Sequence, residues 1–164
     1  MTPTTEASAA PGMAPETQPR GLILDTNIVL DYLLFGDPSA QQLQAQVNTA
    51  LADSAQWRWI ATQRMRDELA RVLLYPHLQA SLAFYQRTAE AILAQFDLRT
   101  HLVDTAAACT ILCRDKDDQP FIDLAVAQQA VLLSKDKQVL KLKKRMARVG
   151  AWADTRVPET AASV

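Results

Sequence analysis

The sequence predicts an α/β fold built on a mainly parallel sheet. Short apolar runs alternate with helix-period segments along the chain, and each run ends at a cap or turn residue. The acids Asp25 and Asp136 each come just after such a run. In a parallel sheet both would lie at the carboxyl edge, where such folds place their functional crevice.

The elements follow in order. The first strand is 22–26, within "GLILDTNIVLDYLL", and Asp25 can cap a helix from Ile28 onward. Ser39 is placed to cap a helix through 53, with Leu43, Val47 and Leu51 four apart on one face. "WRWIA" at 57–61 is aromatic, β-branched and alternating, and reads as a strand in which Trp57 and Trp59 are core and edge residues. Thr62 caps a helix that ends near 74, because Pro76 stops it. One helix is expected over 78–96, carrying Leu82, Tyr85, Ala89, Ile92, Leu93 and Phe96. "CTIL" at 109–112 reads as a short strand or an extended lead-in. Asp118, with Pro120 in the first turn, starts a helix to 129. A strand at 130–134, a helix at 137–149 and a short strand at 151–153 complete the pattern.

The 164 residues are 49% hydrophobic, enough for one domain with a real core. Residues 1–20 contain no Leu, Ile, Val or aromatic and read as a disordered tail, as do 158–164; the domain is then 21–157. A net charge of −1 gives no bulk attraction to nucleic acid, so such an argument rests on local clusters. No apolar run suits a membrane span or a secretory signal. Cys109 and Cys113 have no companion metal ligands and read as free thiols of a reducing cytoplasm.

Four acidic places stand out. Asp25 follows the first strand. On the helix after Thr62, Glu68 falls on the flank of the arc of Met65, Leu69, Val72 and Leu73, whereas Asp67 faces water. Glu68 could equally be a half-buried partner of Arg64 or Arg71. In "CRDKDDQPFIDLAVA", Asp115, Asp117 and Asp118 crowd a helix start, where some acids merely complement the helix dipole. Asp118 is the one placed to point along the strand ends; Asp123 projects opposite the apolar face and is held in reserve. Asp136 follows the strand at 130–134 and could be only a cap. Each local explanation is adequate alone. Together, clustered carboxylates repel unless a cation joins them. Hard Mg²⁺ or Mn²⁺ takes oxygen ligands and can activate water against a phosphodiester.

These residues resemble PIN-domain ribonucleases. "LILDTNIVLDYLL" is similar to the family's opening strand and Asp-Thr-Asn, "RMRDELARVL" to the segment bearing its Glu, "CRDKDDQPFIDLAVA" to its third acidic segment, and "VLLSKDKQVL" to its fourth. The third segment has the "RDxxD" form of bacterial toxin components of toxin–antitoxin pairs. The resemblance implies a three-layer α/β/α fold and an endoribonuclease dependent on Mg²⁺ or Mn²⁺. It further implies Asp25, Glu68, Asp118 and Asp136 as catalytic and metal-binding residues, with Thr26, Asn27 and Ser134 supporting them. Such toxins are commonly homodimers and are often inhibited by a small antitoxin protein. The chain departs from the family at Lys135, where Gly often precedes the last Asp. Lys135 could contact RNA or shield the acids, and the latter supports an alternative: a catalytically silent module that binds RNA or a partner. Receiver domains also gather acids at strand ends, but they need a phosphorylatable Asp after a central strand, which Glu68 on a helix does not supply. Lys137, Lys141, Lys144 and Arg148 form a stripe on the expected last helix that could track phosphates, or be an ordinary solvated face. His77 and His101 show no partner spacing and receive no role.

Overall fold

The computed structural model describes residues 18–163. Its elements are β1 (Arg20–Leu24), α1 (Thr26–Leu33), α2 (Pro38–Ala52), β2 (Trp57–Ala61), α3 (Gln63–Val72), α4 (Pro76–Phe84), α5 (Ala89–Arg99), β3 (His101–Leu102), α6 (Gln119–Gln128), β4 (Val131–Leu133), α7 (Lys137–Leu140), α8 (Lys143–Ala147) and β5 (Trp152–Asp154). A 3-10 turn follows at Ala161–Ser163.

The five strands form one parallel sheet in the order β3-β2-β1-β4-β5, flanked by helices as an α/β/α sandwich. The chain runs outward from β1 to β2 and β3, then crosses to β4 on the other side of β1. The switch point therefore lies between β1 and β4, where the crevice of an open parallel sheet forms. There Leu22, Ile23 and Leu24 pair with Val131, Leu132 and Leu133. All six side chains are buried, as a sheet covered on both faces requires.

Behind the sheet, Trp59 is 1% exposed and meets Tyr32 and Phe96 edge-on, with ring centroids 5.7 and 5.3 Å away. This aromatic cluster ties α1 and α5 to β2. Trp57 is buried too, and the intervening Arg58 faces solvent, so neither tryptophan of this strand offers a ring to a ligand.

At the opening end of the sheet, the Arg20 guanidinium donates to three main-chain carbonyls: Gln129 at 3.0 Å, Gly150 at 2.8 Å and Ala161 at 3.0 Å. Arg20 thus belongs to β1 rather than to a tail, and the end of the chain near Ala161 is held against it. Residues 1–17 lie outside the described part of the molecule.

Several elements differ from the sequence expectation. Helix α2 is capped by Asp37, not Ser39; the Asp37 carboxylate accepts from the Ala40 amide at 3.3 Å and Pro38 occupies the first turn. The helix expected at 78–96 is two. Gln86 turns left-handed (φ 54°), and Thr88 caps a new helix by accepting from Ala91 N at 3.1 Å. The helix expected at 137–149 is also two, because Leu142 N bonds back only three residues to Val139 O at 2.9 Å. Residues 109–112 form no strand. The fifth strand is instead the two-residue β3, which carries no sequence pattern at that length.

Candidate active site

Each acid reaches the carboxyl edge for a local reason. The chain leaves β1 at Asp25, which starts α1 by accepting from Ile28 N at 2.9 Å. The residue is 5% exposed. Burial raises its pKa to about 6, with Asp136 adding to the rise; hydrogen bonds from the Ser134 hydroxyl and the Ile28 amide, and the charge of Lys135, act against it.

Beyond β4, Ser134 is fully buried, and its oxygen accepts from the Asp136 amide at 3.0 Å. Asp136 in turn starts α7 by accepting from Gln138 N at 2.7 Å. One hydroxyl therefore engages both flanking acids: the side chain of Asp25 and the backbone of Asp136.

Asp118 is different. It precedes α6 in a helical backbone conformation and makes no side-chain cap, contrary to expectation. Its Oδ2 is buried with no hydrogen-bond partner among the described residues. Burial first, then the carboxyl of Asp136, then Asp115 and Asp25, push its pKa up to about 8. These surroundings favour the protonated form of Asp118. One carboxylate oxygen each of Asp115, Asp118 and Asp136 lies within 4.8 Å of the others.

Glu68 enters from α3, half-buried, and accepts a hydrogen bond from the Thr26 hydroxyl. It forms no ion pair with Arg64 or Arg71 among the described residues. Asp67 faces solvent and accepts from Gln63 at 2.9 Å.

Asp25, Glu68, Asp118 and Asp136 line one cleft of about 280 Å³, together with Thr26, Asn27, Asp115 and Asp117. Asp123 is not among its lining residues. It accepts from Cys109 N at 3.1 Å and Gln119 Nε2 at 2.8 Å, and so fastens the 109–113 segment to α6. Lys135 also lies elsewhere: its ammonium pairs with the buried Asp31 at 2.5 Å, and it lines a separate hollow with Arg156. The expected cationic stripe is split between α7 and α8; Lys137, Lys141, Lys144 and Arg148 are exposed, but no continuous helix aligns them.

Two groups in the cleft escape a sequence reading. Asp115 joins the closest carboxylate cluster through a turn, with no helix-period signal. Arg71, Tyr75 and His77, from the end of α3 and the start of α4, also line the cleft.

The donor set fits a hard divalent cation. Its closest cluster is made of carboxylates, held against mutual repulsion, and includes a buried oxygen with no donor among the described residues. A family model described as "PIN domain" matches residues 21–138, which include every acid of the cleft. No curated protein matches the chain.

Proposed function

The chain belongs to the PIN-domain family, generally metal-dependent nucleases that act on RNA, and from that premise we propose that it is an endoribonuclease using Mg²⁺ or Mn²⁺. The observation that carries this reading is the convergence of Asp25, Glu68, Asp118 and Asp136 in one cleft, where Asp118 Oδ2 has no donor of its own.

Asp25, Glu68, Asp118 and Asp136 would hold the cation, with Asp115 beside them. When bound, the cation stabilises charge growing on the phosphate and acidifies the attacking water. The protein's own residues prepare this. Thr26 fixes the rotamer of Glu68 through its hydroxyl. Ser134 holds Asp25 and the Asp136 backbone together, the outer-sphere positioning that ligands of a metal site need. A cation held there would compete with the proton that its surroundings favour on Asp118, so its binding would strengthen with pH.

The silent-module alternative rested on Lys135, which pairs with Asp31 outside the cleft lining while its charge still favours the ionised form of Asp25; Mn²⁺ affinity lost in Asp25→Asn would argue against that alternative. The decisive experiment is RNA cleavage with and without Mn²⁺. Asp25→Asn keeps the shape and loses the charge, and is expected to abolish cleavage with the fold intact. Full wild-type cleavage after exhaustive EDTA treatment would refute the mechanism.

We extend the reading to a toxin of a toxin–antitoxin pair, acting as a homodimer in the cytoplasm, on the resemblance of its third acidic segment. Growth arrest on expression, lost in Asp25→Asn and relieved by co-expressing a small neighbouring gene product, is the expected result. Unimpaired growth on expression of active enzyme would remove the toxin role and leave the nuclease standing.

A further inference from the structure

Beside the acids, three side chains of the cleft are left without a polar partner among the described residues. Among the described residues, the Arg71 guanidinium, the Tyr75 hydroxyl and the His77 ring nitrogens make no hydrogen bond or ion pair. For Arg71 this is unexpected. It stands within one helical turn of Glu68 and is the sole Arg or Lys among the described residues lining an acid-rich cleft, yet Glu68 is engaged by Thr26 instead. A guanidinium so placed is available to an anion.

Tyr75 lines the cleft and is 42% exposed. Pro76 occupies the first turn of α4 and holds the preceding Tyr75 in an extended conformation (φ −64°, ψ 142°). The His77 ring lies 6.0 Å from it at a 39° tilt. That spacing leaves no room for a third ring between them, so a ligand would stack on the open face of Tyr75. An exposed aromatic ring with an unpaired cation four residues before it is the chemistry that receives a base and its phosphate.

Resting on the nuclease reading, we propose that the α3–α4 corner is a nucleotide subsite beside the scissile phosphate, with Tyr75 stacking one unpaired base and Arg71 binding a phosphate. The acids hold the reacting group; the corner decides which nucleotide stands next to it.

The test uses full-length protein with Mn²⁺ and single-stranded RNAs carrying one abasic nucleotide at successive positions. Tyr75→Ala is expected to lower kcat/KM on intact RNA about tenfold, the size of one lost base stack, mainly through KM. The effect should vanish when the nucleotide at one fixed distance from the cut is abasic. Tyr75→Phe should restore the loss, and Mn²⁺ affinity measured without RNA should not move in either variant. Arg71→Gln should flatten the salt dependence of KM by about 0.7 in log–log slope, one phosphate contact on a single strand. Wild-type kcat/KM in Tyr75→Ala, or an equal loss at every abasic position, overturns the subsite and leaves the nuclease reading intact. A wild type that cleaves no RNA with Mn²⁺ overturns both.

Discussion

At Asp118 the protein keeps a carboxyl group neutral where an exposed one would be charged. The cause is burial beside three other acids, and the consequence is a pH-dependent stability. Asp25 and Asp118 have folded pKa values of about 6 and about 8, both above the ordinary value of 3.8. The folded state thus binds more protons than the unfolded state between those limits. Stability is full below pH of about 4 with respect to these two groups and declines as pH rises through the folded values. The Asp25 part alone is about 3 kcal/mol. Denaturant unfolding of EDTA-treated protein is expected to show lower stability at pH 8 than at pH 5. Equal midpoints would mean that neither acid is protonated as its surroundings dictate. This scale is also where the sequence was most legible. Asp25, Thr62 and Asp136 obey a local rule, a short acceptor at a helix start, and each caps as expected. Asp118 breaks that rule because its carboxyl is turned to the cluster and not to its own helix.

Among the elements, packing of β1 is tight where the chain is smallest. A Cβ at Gly21 would lie 2.7 Å from Ile60 Cδ1 and 3.1 Å from Ala130 Cβ. Gly21→Ala is expected to destabilise by about 1–3 kcal/mol through overpacking, read as a shift in urea midpoint. Adding Ile60→Val removes the nearest atom and should recover part of the loss. On the other flank, α6 holds the 109–113 segment by two side chains one turn apart. Gln119 accepts from Cys113 N at 2.6 Å and donates to Ile111 O at 3.0 Å, and Asp123 takes Cys109 N. Asp123→Ala should raise amide hydrogen exchange at Cys109 severalfold while amides of β1 and β4 stay protected; unchanged exchange there would deny the clamp. Elements with strong periodicity or caps were readable in advance, as α3 and β4 show. The breaks at Gln86 and Leu142 were not, since neither carries Gly or Pro and both are imposed by packing. Nor was the presence of Arg71, Tyr75 and His77 in the cleft, which depends on how α4 follows α3 in three dimensions. The outline of the site was therefore visible in the residues that end strands, and these three were not.

The molecule as a whole separates two tasks between the ends of its sheet. The carboxyl end gathers acids that repel one another, a burden that a cation relieves. Saturating Mn²⁺ is expected to raise the thermal midpoint, more at pH 8 than at pH 6, because at pH 6 it must first displace protons. A midpoint insensitive to Mn²⁺ at pH 8 would argue that the acids do not act as one site. The opposite end is neutralised differently. There Arg20 gathers carbonyls from three separated stretches of chain, binding the first strand to the Ala161 turn. Gln18 and Ala162 border the same hollow beside it. That clasp works as a strap across the amino ends of the strands: cutting it would free the start of β1, the 129 and 150 turns and the Ala161 turn together, at the pole remote from the acids.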